Sequence, residues 1–444
     1  QPGQKERPIK TVFRYPNQSI LQHAEQCNGS GDCRKTHLSG GTMCPSYMAT
    51  LDEKDTTRAR ANILREMLTH SDKANPYDHD EIKEVMDLCL RCKACKSECP
   101  SSVDMAKFKA EFLQGYYDSH RVPLRSKMIG HVDSLTQLMQ PVAGAYNLMV
   151  GNQLTGSLVK RILGFAPNRK IPKIAPITLR RWFQQKDKPF FDRKLAVKTV
   201  YFFCDEFTNF NDVELGKKAI LLLEKLGYQI LMVPHAFSGR ALLSKGLLRE
   251  AKKLANRNVE VFKGRLNCDT KLVSVEPSTI LTFRDEYVDL VDEHLLSDAE
   301  RIAPLALSIE EFIWEEYLAG NISSSQFESK EKHILLHGHC QQKAWGILPV
   351  VSNVLEIPTN YKVEPIPSGC CGMAGSFGYE KEHYDISMKI GELVLFPSVR
   401  QKADSTVIAA PGSSCRQQIF DGTGVTSQHP VEILYSALQV DKNK

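Results

Sequence analysis

The 444-residue sequence contains no run of about eighteen apolar residues that would cross a bilayer, and no leader with a charged start and an apolar middle can be read in it. No G-x-G-x-x-G or Walker pattern introduces a helix, so a phosphate cradle for a nucleotide is missing. The net charge is only +5, with 25% charged residues, and it leaves no electrostatic footprint for nucleic acid. These absences predict a cytoplasmic protein, at most peripheral on the inner face of a membrane. The chain opens "QPGQKERP" without a methionine, which predicts a fragment or a trimmed product. Its length exceeds one ordinary core, so two or three domains are expected.

What the sequence does have is cysteine, thirteen in all. In a large chain that groups them closely, they read as metal ligands and not as a disulfide framework. "CLRCKACKSECP" places Cys89, Cys92, Cys95 and Cys99 before Pro100 in the C-x2-C-x2-C-x3-C-P spacing of a cubane site. Three thiolates on one tight loop cap three irons, and the fourth cysteine of such a run serves a neighbouring cluster. Zinc is the competing metal, but its sites seldom crowd four cysteines into so short a run.

The spacing calls for a partner motif, and it lies upstream. "CNGSGDC" supplies Cys27 and Cys33, and "MCP" supplies Cys44. Cys44 is expected to complete the set of Cys89, Cys92 and Cys95, leaving Cys27, Cys33 and Cys99 for the second cluster. Ser30 occupies the place of a middle cysteine, so three thiolates match a 3Fe-4S cluster, and the same absence resembles the 3Fe-4S site of the succinate dehydrogenase iron-sulfur subunit. A 4Fe-4S cluster completed by Ser30, Asp32 or His37 stays open.

The segments around these motifs have helical periodicity: "TTRARANILREML", "DEIKEVMDL" and "VDMAKFKAEFLQGYY". Helix, cysteine loop, helix, repeated, predicts an all-helical two-cluster ferredoxin domain over residues 1–125, with Arg58, Arg60 and Arg65 on a solvated face. Residues 126–195 hold no cysteine and predict a helical, proline-rich connector, basic enough to touch a membrane surface. From residue 196, apolar runs alternate with helical patterns, which predicts α/β layers on a parallel sheet. The texture occurs twice: "KTVYFFCDEFTN" answers "KHILLHGHCQQK", and "SVEPSTILTFRDEY" answers "AAPGSSCRQQIF". Cys204 to Cys340 and Thr279 to Cys415 are both separations of 136 residues, which argues for a duplicated unit over 196–325 and 326–444.

The copies differ in chemistry. The second keeps Cys340, Cys370, Cys371 and Cys415, whereas the first has Ser238 before its glycine and Thr279 opposite Cys415. "CCG" turns both thiols toward one site only on a tight turn, which Gly369 and Gly372 permit. A metal site is therefore expected in the second copy and not in the first. Cys204 and Cys268 are expected to be buried structural cysteines. His337 and His339 flank Cys340 at the end of a strand, where open α/β sheets place ligands; His429 and His235 are weaker candidates.

Together "CNGSGDCRK", "MCPSYMAT", "CLRCKACKSECP", "EPSTILTFRDEY", "HGHCQQKA", "CCGMAGSFGYE" and "SSCRQQI" resemble the iron-sulfur portion of the FAD-linked 2-hydroxyacid dehydrogenases of D-lactate, glycolate and 2-hydroxyglutarate type. The last third resembles the CCG domain of the heterodisulfide reductase B subunit. The resemblance implies an oxidoreductase whose FAD sits on an absent domain or partner subunit, with electrons passing through two clusters to quinone or another acceptor. It also implies a noncubane cluster at the CCG site. Gly412-Ser413-Ser414-Cys415 departs from the closing C-x2-C of that motif, so a mononuclear zinc or iron held by Cys340, Cys370, Cys371 and Cys415, helped by His339 or His337, is the alternative. Thiol or disulfide chemistry at the CCG site and a non-catalytic iron-sulfur sensor or scaffold are the rival readings.

Overall fold

The computed structural model describes residues 9–186 and 198–439. The opening "QPGQKERP" and the end of the connector therefore lie outside the described residues. The first part is helical. Helices α1 (Ile20–Glu25), α2 (Pro45–Thr50), α3 (Thr57–His70), α4 (Asp80–Asp87), α5 (Ala94–Glu98) and α6 (Met105–Ser119) alternate with the cysteine loops. Side-chain caps fix two of the starts: Thr56 Oγ1 accepts from Ala59 N at 3.0 Å, and Asp104 Oδ1 accepts from Lys107 N at 3.0 Å. The buried face of α3 runs through Ala61, Leu64 and Leu68. Arg60 is buried on it, contrary to the solvated face expected from the sequence. Its guanidinium reaches Val85 O at 2.9 Å, Ser46 Oγ at 3.1 Å and Asp55 at 3.6 Å.

The connector forms α7 (Leu124–Gly130), α8 (Val132–Met139), α9 (Ala143–Gly151), α10 (Gln153–Leu163) and, after its prolines, α11 (Leu179–Gln185). Gly164 closes α10 in the left-handed conformation (φ +65°), and Pro167 follows.

Among the described residues, seven short strands make two parallel sheets. β1 (Thr199–Phe202), β2 (Gln229–Leu231), β3 (Leu272–Ser274) and β4 (Ala306–Ser308) lie in the order 2-1-3-4. β5 (Lys332–Leu336), β6 (Tyr361–Pro365) and β7 (Val407–Ala409) lie in the order 6-5-7. In both sheets the first strand has a neighbour on each side. β3 and β4 are buried throughout, as parallel strands covered by helices are, whereas the edge strand β6 is largely exposed. The fold is thus helical with two small parallel sheets. No helix among the described residues is long and apolar enough to cross a membrane.

Candidate functional site

Cys44 caps α2 in the left-handed conformation (φ 57°), directly before Pro45. Arg91 and Lys93 are also left-handed (φ 55° and 62°), so the loop carrying Cys89, Cys92 and Cys95 holds two non-glycine residues in costly backbone space. That strain folds the loop around its thiols. Cys33, Cys44, Cys89, Cys92 and Cys95 share one apolar core with Cys370, and Cys27, Cys99 and Cys340 pack against it.

The donor set at these loops fits iron-sulfur clusters. Thr57 donates its N–H to Cys44 Sγ at 3.0 Å, and its hydroxyl lies 2.9 Å from the same sulfur. Burial pushes the Cys44 thiol up to about 12, against Arg60 and Thr57, and lifts Cys92 and Cys95 well above the ordinary thiol range. Thiols buried this far stay protonated unless a metal displaces the proton, and hydrogen-bond donors aimed at sulfur favour the liganding thiolate. Cys44 sits within electrostatic reach of both Cys95 and Cys33, and Cys33 of Cys27. Cys44 therefore lies between the two groups of thiols.

Of the candidate replacements for the missing cysteine, Ser30 is exposed and hydrogen-bonds Asp32, which also pairs with Lys35 at 3.3 Å. His37 shares a small cleft with Gly369 and Cys370. Glu98 carries a role that spacing did not reveal. Its carboxylate accepts from Thr42 N at 2.8 Å and Met43 N at 3.0 Å, tying the Cys44 loop to the helix that ends at Cys99.

In the second sheet, His337 follows β5, Cys340 opens the helix Cys340–Ala344, Cys370 and Cys371 lie on the loop after β6, and Cys415 lies in the first turn of the helix Ser413–Thr423. Gly372 (φ +93°) makes the turn between the paired cysteines and the next helix, and a Cβ there would meet Ser387 O at 2.3 Å. Gly369 serves differently from the expectation. It allows close approach, since its Cβ would stand 3.1 Å from Gly41 O in the ferredoxin loop.

His337, Cys371 and Cys415 offer ligand atoms within 4.8 Å of one another, all buried. His337 Nδ1 pairs with Ser368 Oγ at 2.8 Å, while its buried Nε2 has no hydrogen-bond partner. Burial lowers the His337 pKa, so the ring is neutral. A neutral imidazole beside two buried thiols is a donor set that fits zinc or iron. Cys340 pairs with Cys370, Cys370 with Cys371 and Cys371 with Cys415 through their sulfurs, so the four form a hydrogen-bonded chain. These bonds hold Cys340 at about 6 and Cys371 well below the usual range against burial, and raise Cys370 and Cys415. His339 caps the helix with Nδ1, which accepts from Gln341 N at 3.3 Å, and lines the same cavity as the four cysteines. Lys343, one turn after Cys340, donates to Ser368 O and to Gly369 O at 2.9 Å and brings a positive charge beside the four thiols.

The first sheet lacks this constellation. Cys204 is buried, with Asn209 Oδ1 3.6 Å from its sulfur and His235 Nε2 3.2 Å from its N–H. Ser238 donates its hydroxyl to Glu206 at 2.6 Å, and Thr279 is fully buried. Cys268, expected to be buried, is exposed on the turn before β3. His235 is held neutral by burial and by Arg180, and His429 joins the two sheets through Val275 O at 3.0 Å.

A cavity of about 610 Å³ opens onto Cys340, Cys370, Cys371 and Cys415. Met128, Val132, Met139 and Phe165 form an apolar wall, and Asp133, Glu206 and Arg240 form a polar one. Asp133 is buried and takes part in no ion pair. Burial first, and Glu206 second, push its carboxyl well above the usual range.

Residues 26–104 match the 4Fe-4S dicluster domain family. The chain is 27% identical to D-2-hydroxyglutarate dehydrogenase of Escherichia coli (strain K12) over 94% of its own length and 44% of that protein, so it spans less than half of that relative. It is 25% identical to a subunit of the anaerobic glycerol-3-phosphate dehydrogenase of the same organism, covering 72% of this chain and 79% of the relative. It is 22% identical to the glycolate oxidase iron-sulfur subunit over 95% of each chain. No solved structure matches. With a 4Fe-4S dicluster domain, a cysteine-lined α/β part and likeness to these dehydrogenase proteins and subunits along most of its length, the chain is similar to iron-sulfur proteins of FAD-linked dehydrogenases.

Proposed function

We propose that this chain is the iron-sulfur electron-transfer module of a FAD-linked 2-hydroxyacid dehydrogenase, taking electrons from a flavin on another domain or subunit and delivering them to an acceptor such as quinone. One observation carries the reading: the ferredoxin thiols and Cys370 belong to one core, with Cys340 the leading charged neighbour of Cys92. The two sites are therefore adjacent, as a short electron path requires.

In this reading Cys27, Cys33 and Cys99 hold one cluster, and Cys44, Cys89, Cys92 and Cys95 hold the other. Cys371, Cys415 and His337, with Cys340 and Cys370, hold a third centre. Bound clusters supply one-electron steps where a flavin offers a pair. The residues divide into a ferredoxin domain (1–125), a connector (126–195) and two CCG repeats (196–325 and 326–444). The shared placing of the first strand between two neighbours in each sheet supports the duplication.

Iron and acid-labile sulfide analysis with EPR on anaerobically purified protein tests this. An oxidised 3Fe-4S signal and a reduced 4Fe-4S signal are expected; zinc without sulfide would overturn the reading. The hydrogen-bonded sulfur chain favours a second reading, reversible disulfide formation between neighbouring thiols. Thiol titration before and after oxidation would reveal it as a loss of two thiols with no metal bound at the site.

The cavity fits an acceptor that takes protons with its electrons. Burial, with Glu206 second, raises the Asp133 carboxyl well above the usual range and so favours its protonated form, and Asp133 lines the same cavity as the four cysteines. Asp133→Asn is expected to slow reduction of a short-chain quinone roughly 10- to 100-fold, as loss of a general acid does, with unchanged cluster EPR. An unchanged rate would remove Asp133 from the proton path.

A further inference from the structure

Ten of the sixteen well-exposed large apolar side chains among the described residues lie between Leu124 and Ile162. Nine of them project from four consecutive helices, α7 to α10, and Val142 from the turn between α8 and α9. Leu148 is 75% exposed, Leu154 83% and Ile162 74%. Leu154, Leu158 and Ile162 recur every fourth residue and form one stripe along α10, whose sole buried residue is Gly156. Single exposed leucines are ordinary, but a contiguous set of this size marks a contact surface.

Charge identifies what the surface meets. From Arg121 to Lys186 the chain carries eleven lysines and arginines and one acidic residue, Asp133, which is buried. Lys127, Lys160 and Arg161 stand among the exposed leucines. Within the segment, exposed apolar side chains are bordered by basic ones and no carboxylate is exposed; the exposed Glu382 and Glu250 come from outside it and pair with Arg125 and His131. This pattern matches the acyl boundary and anionic headgroups of a bilayer. A second copy of this chain would bring the same positive charge to the contact and be repelled.

We propose that α7 to α10 form a docking face for anionic phospholipid membranes, with α9 and α10 lying in the interface. The face rests on exposure and charge and does not depend on the electron-transfer reading. Joined to that reading it has a consequence: Met128 and Leu135 are exposed on this face and also line the cavity that reaches the cysteines, so an apolar acceptor would enter from the lipid side.

The test uses the full, cluster-loaded chain and co-sedimentation with vesicles of phosphatidylcholine, with or without phosphatidylglycerol. The protein is expected to bind the anionic vesicles and to lose about tenfold in partitioning when salt screens the headgroups. The variant Leu148→Ser/Leu154→Ser/Leu158→Ser/Ile162→Ser changes exposed residues only. It is expected to lose at least about tenfold in binding while keeping its cluster absorbance and its rate with a water-soluble acceptor. No binding to anionic vesicles, or wild-type binding by the variant, would overturn the proposal. So would self-association, or capture of a flavoprotein partner, that the variant abolishes in protein that binds no lipid. A failed rate with the water-soluble acceptor, by contrast, counts against the electron-transfer reading and leaves the docking face untouched.

Discussion

Cys371→Ala is expected to lower electron delivery from pre-reduced, desalted protein to a short-chain quinone by at least about 100-fold, with the ferredoxin-type EPR signals at wild-type intensity. Losing a partner around a metal ligand typically costs about 10- to 100-fold, and losing the ligand itself should cost no less. Cys371 is the centre of its site: it pairs with both Cys370 and Cys415 and stands within 4.8 Å of the His337 ligand nitrogen. Alanine leaves His337 and Cys415 facing a gap, so any metal there loses its middle ligand. The core around Cys44, Cys89, Cys92 and Cys95 is built by other residues and keeps its thiols. Cys204→Ala is the matched control, since Cys204 is equally buried but sits among Asn209 and His235 in the other sheet. It should cost stability and leave the rate intact. A Cys371→Ala rate above half of wild type would take the CCG site off the electron path.

Much of this site was legible in sequence because cysteine spacing is geometry written along the chain. A loop that must place thiolates at three-residue intervals can be read directly, and an offset of 136 residues that recurs at both ends of a segment is what raises the expectation of a duplication. What spacing could not show were the contacts between distant segments. Glu98 binds the Cys44 loop from 55 or so residues away. Lys343 steadies the CCG loop across 25 and 26 residues of sequence. Arg60 looked like part of a solvated stripe because its helix carries arginines on several faces, and only the packing of α3 beside Ser46 and Val85 buries it. His337 and His339 are alike in sequence. They differ in the structure because His337 follows β5 and is fully buried, whereas His339 uses its Nδ1 to cap the next helix. The lipid-facing leucines were hidden for a related reason: an apolar residue in a helix predicts burial, and its exposure appears only when nothing packs over it.

Lys93→Met is expected to destabilise the protein by about 3–5 kcal/mol, the cost of removing one partner from a buried ion pair. Lys93 is almost wholly buried, and its ammonium lies 2.6 Å from both Asp285 Oδ2 and Glu286 Oε1; Lys96 reaches Asp285 Oδ1, also at 2.6 Å. This cluster clamps the cysteine loop 89–99 to the first α/β half. Burial alone would raise the Asp285 carboxyl, yet Lys93 and Lys96 hold it far below the usual carboxylate range. A depressed carboxyl contributes stability that is fully present above its unfolded pKa of about 4 and is lost as pH falls through its folded value. In Lys93→Met, Asp285 stays buried with less compensation, so its pKa rises and it accepts a proton sooner. The gap between variant and wild type, read from urea midpoints, should therefore be widest near neutral pH and narrow toward pH 4. Adding Glu286→Gln should recover part of the loss, because it removes one of the stranded charges, and a double-mutant cycle would report that coupling. A gap that stays constant with pH would mean that Lys93 acts through packing of its stem and not through its charge.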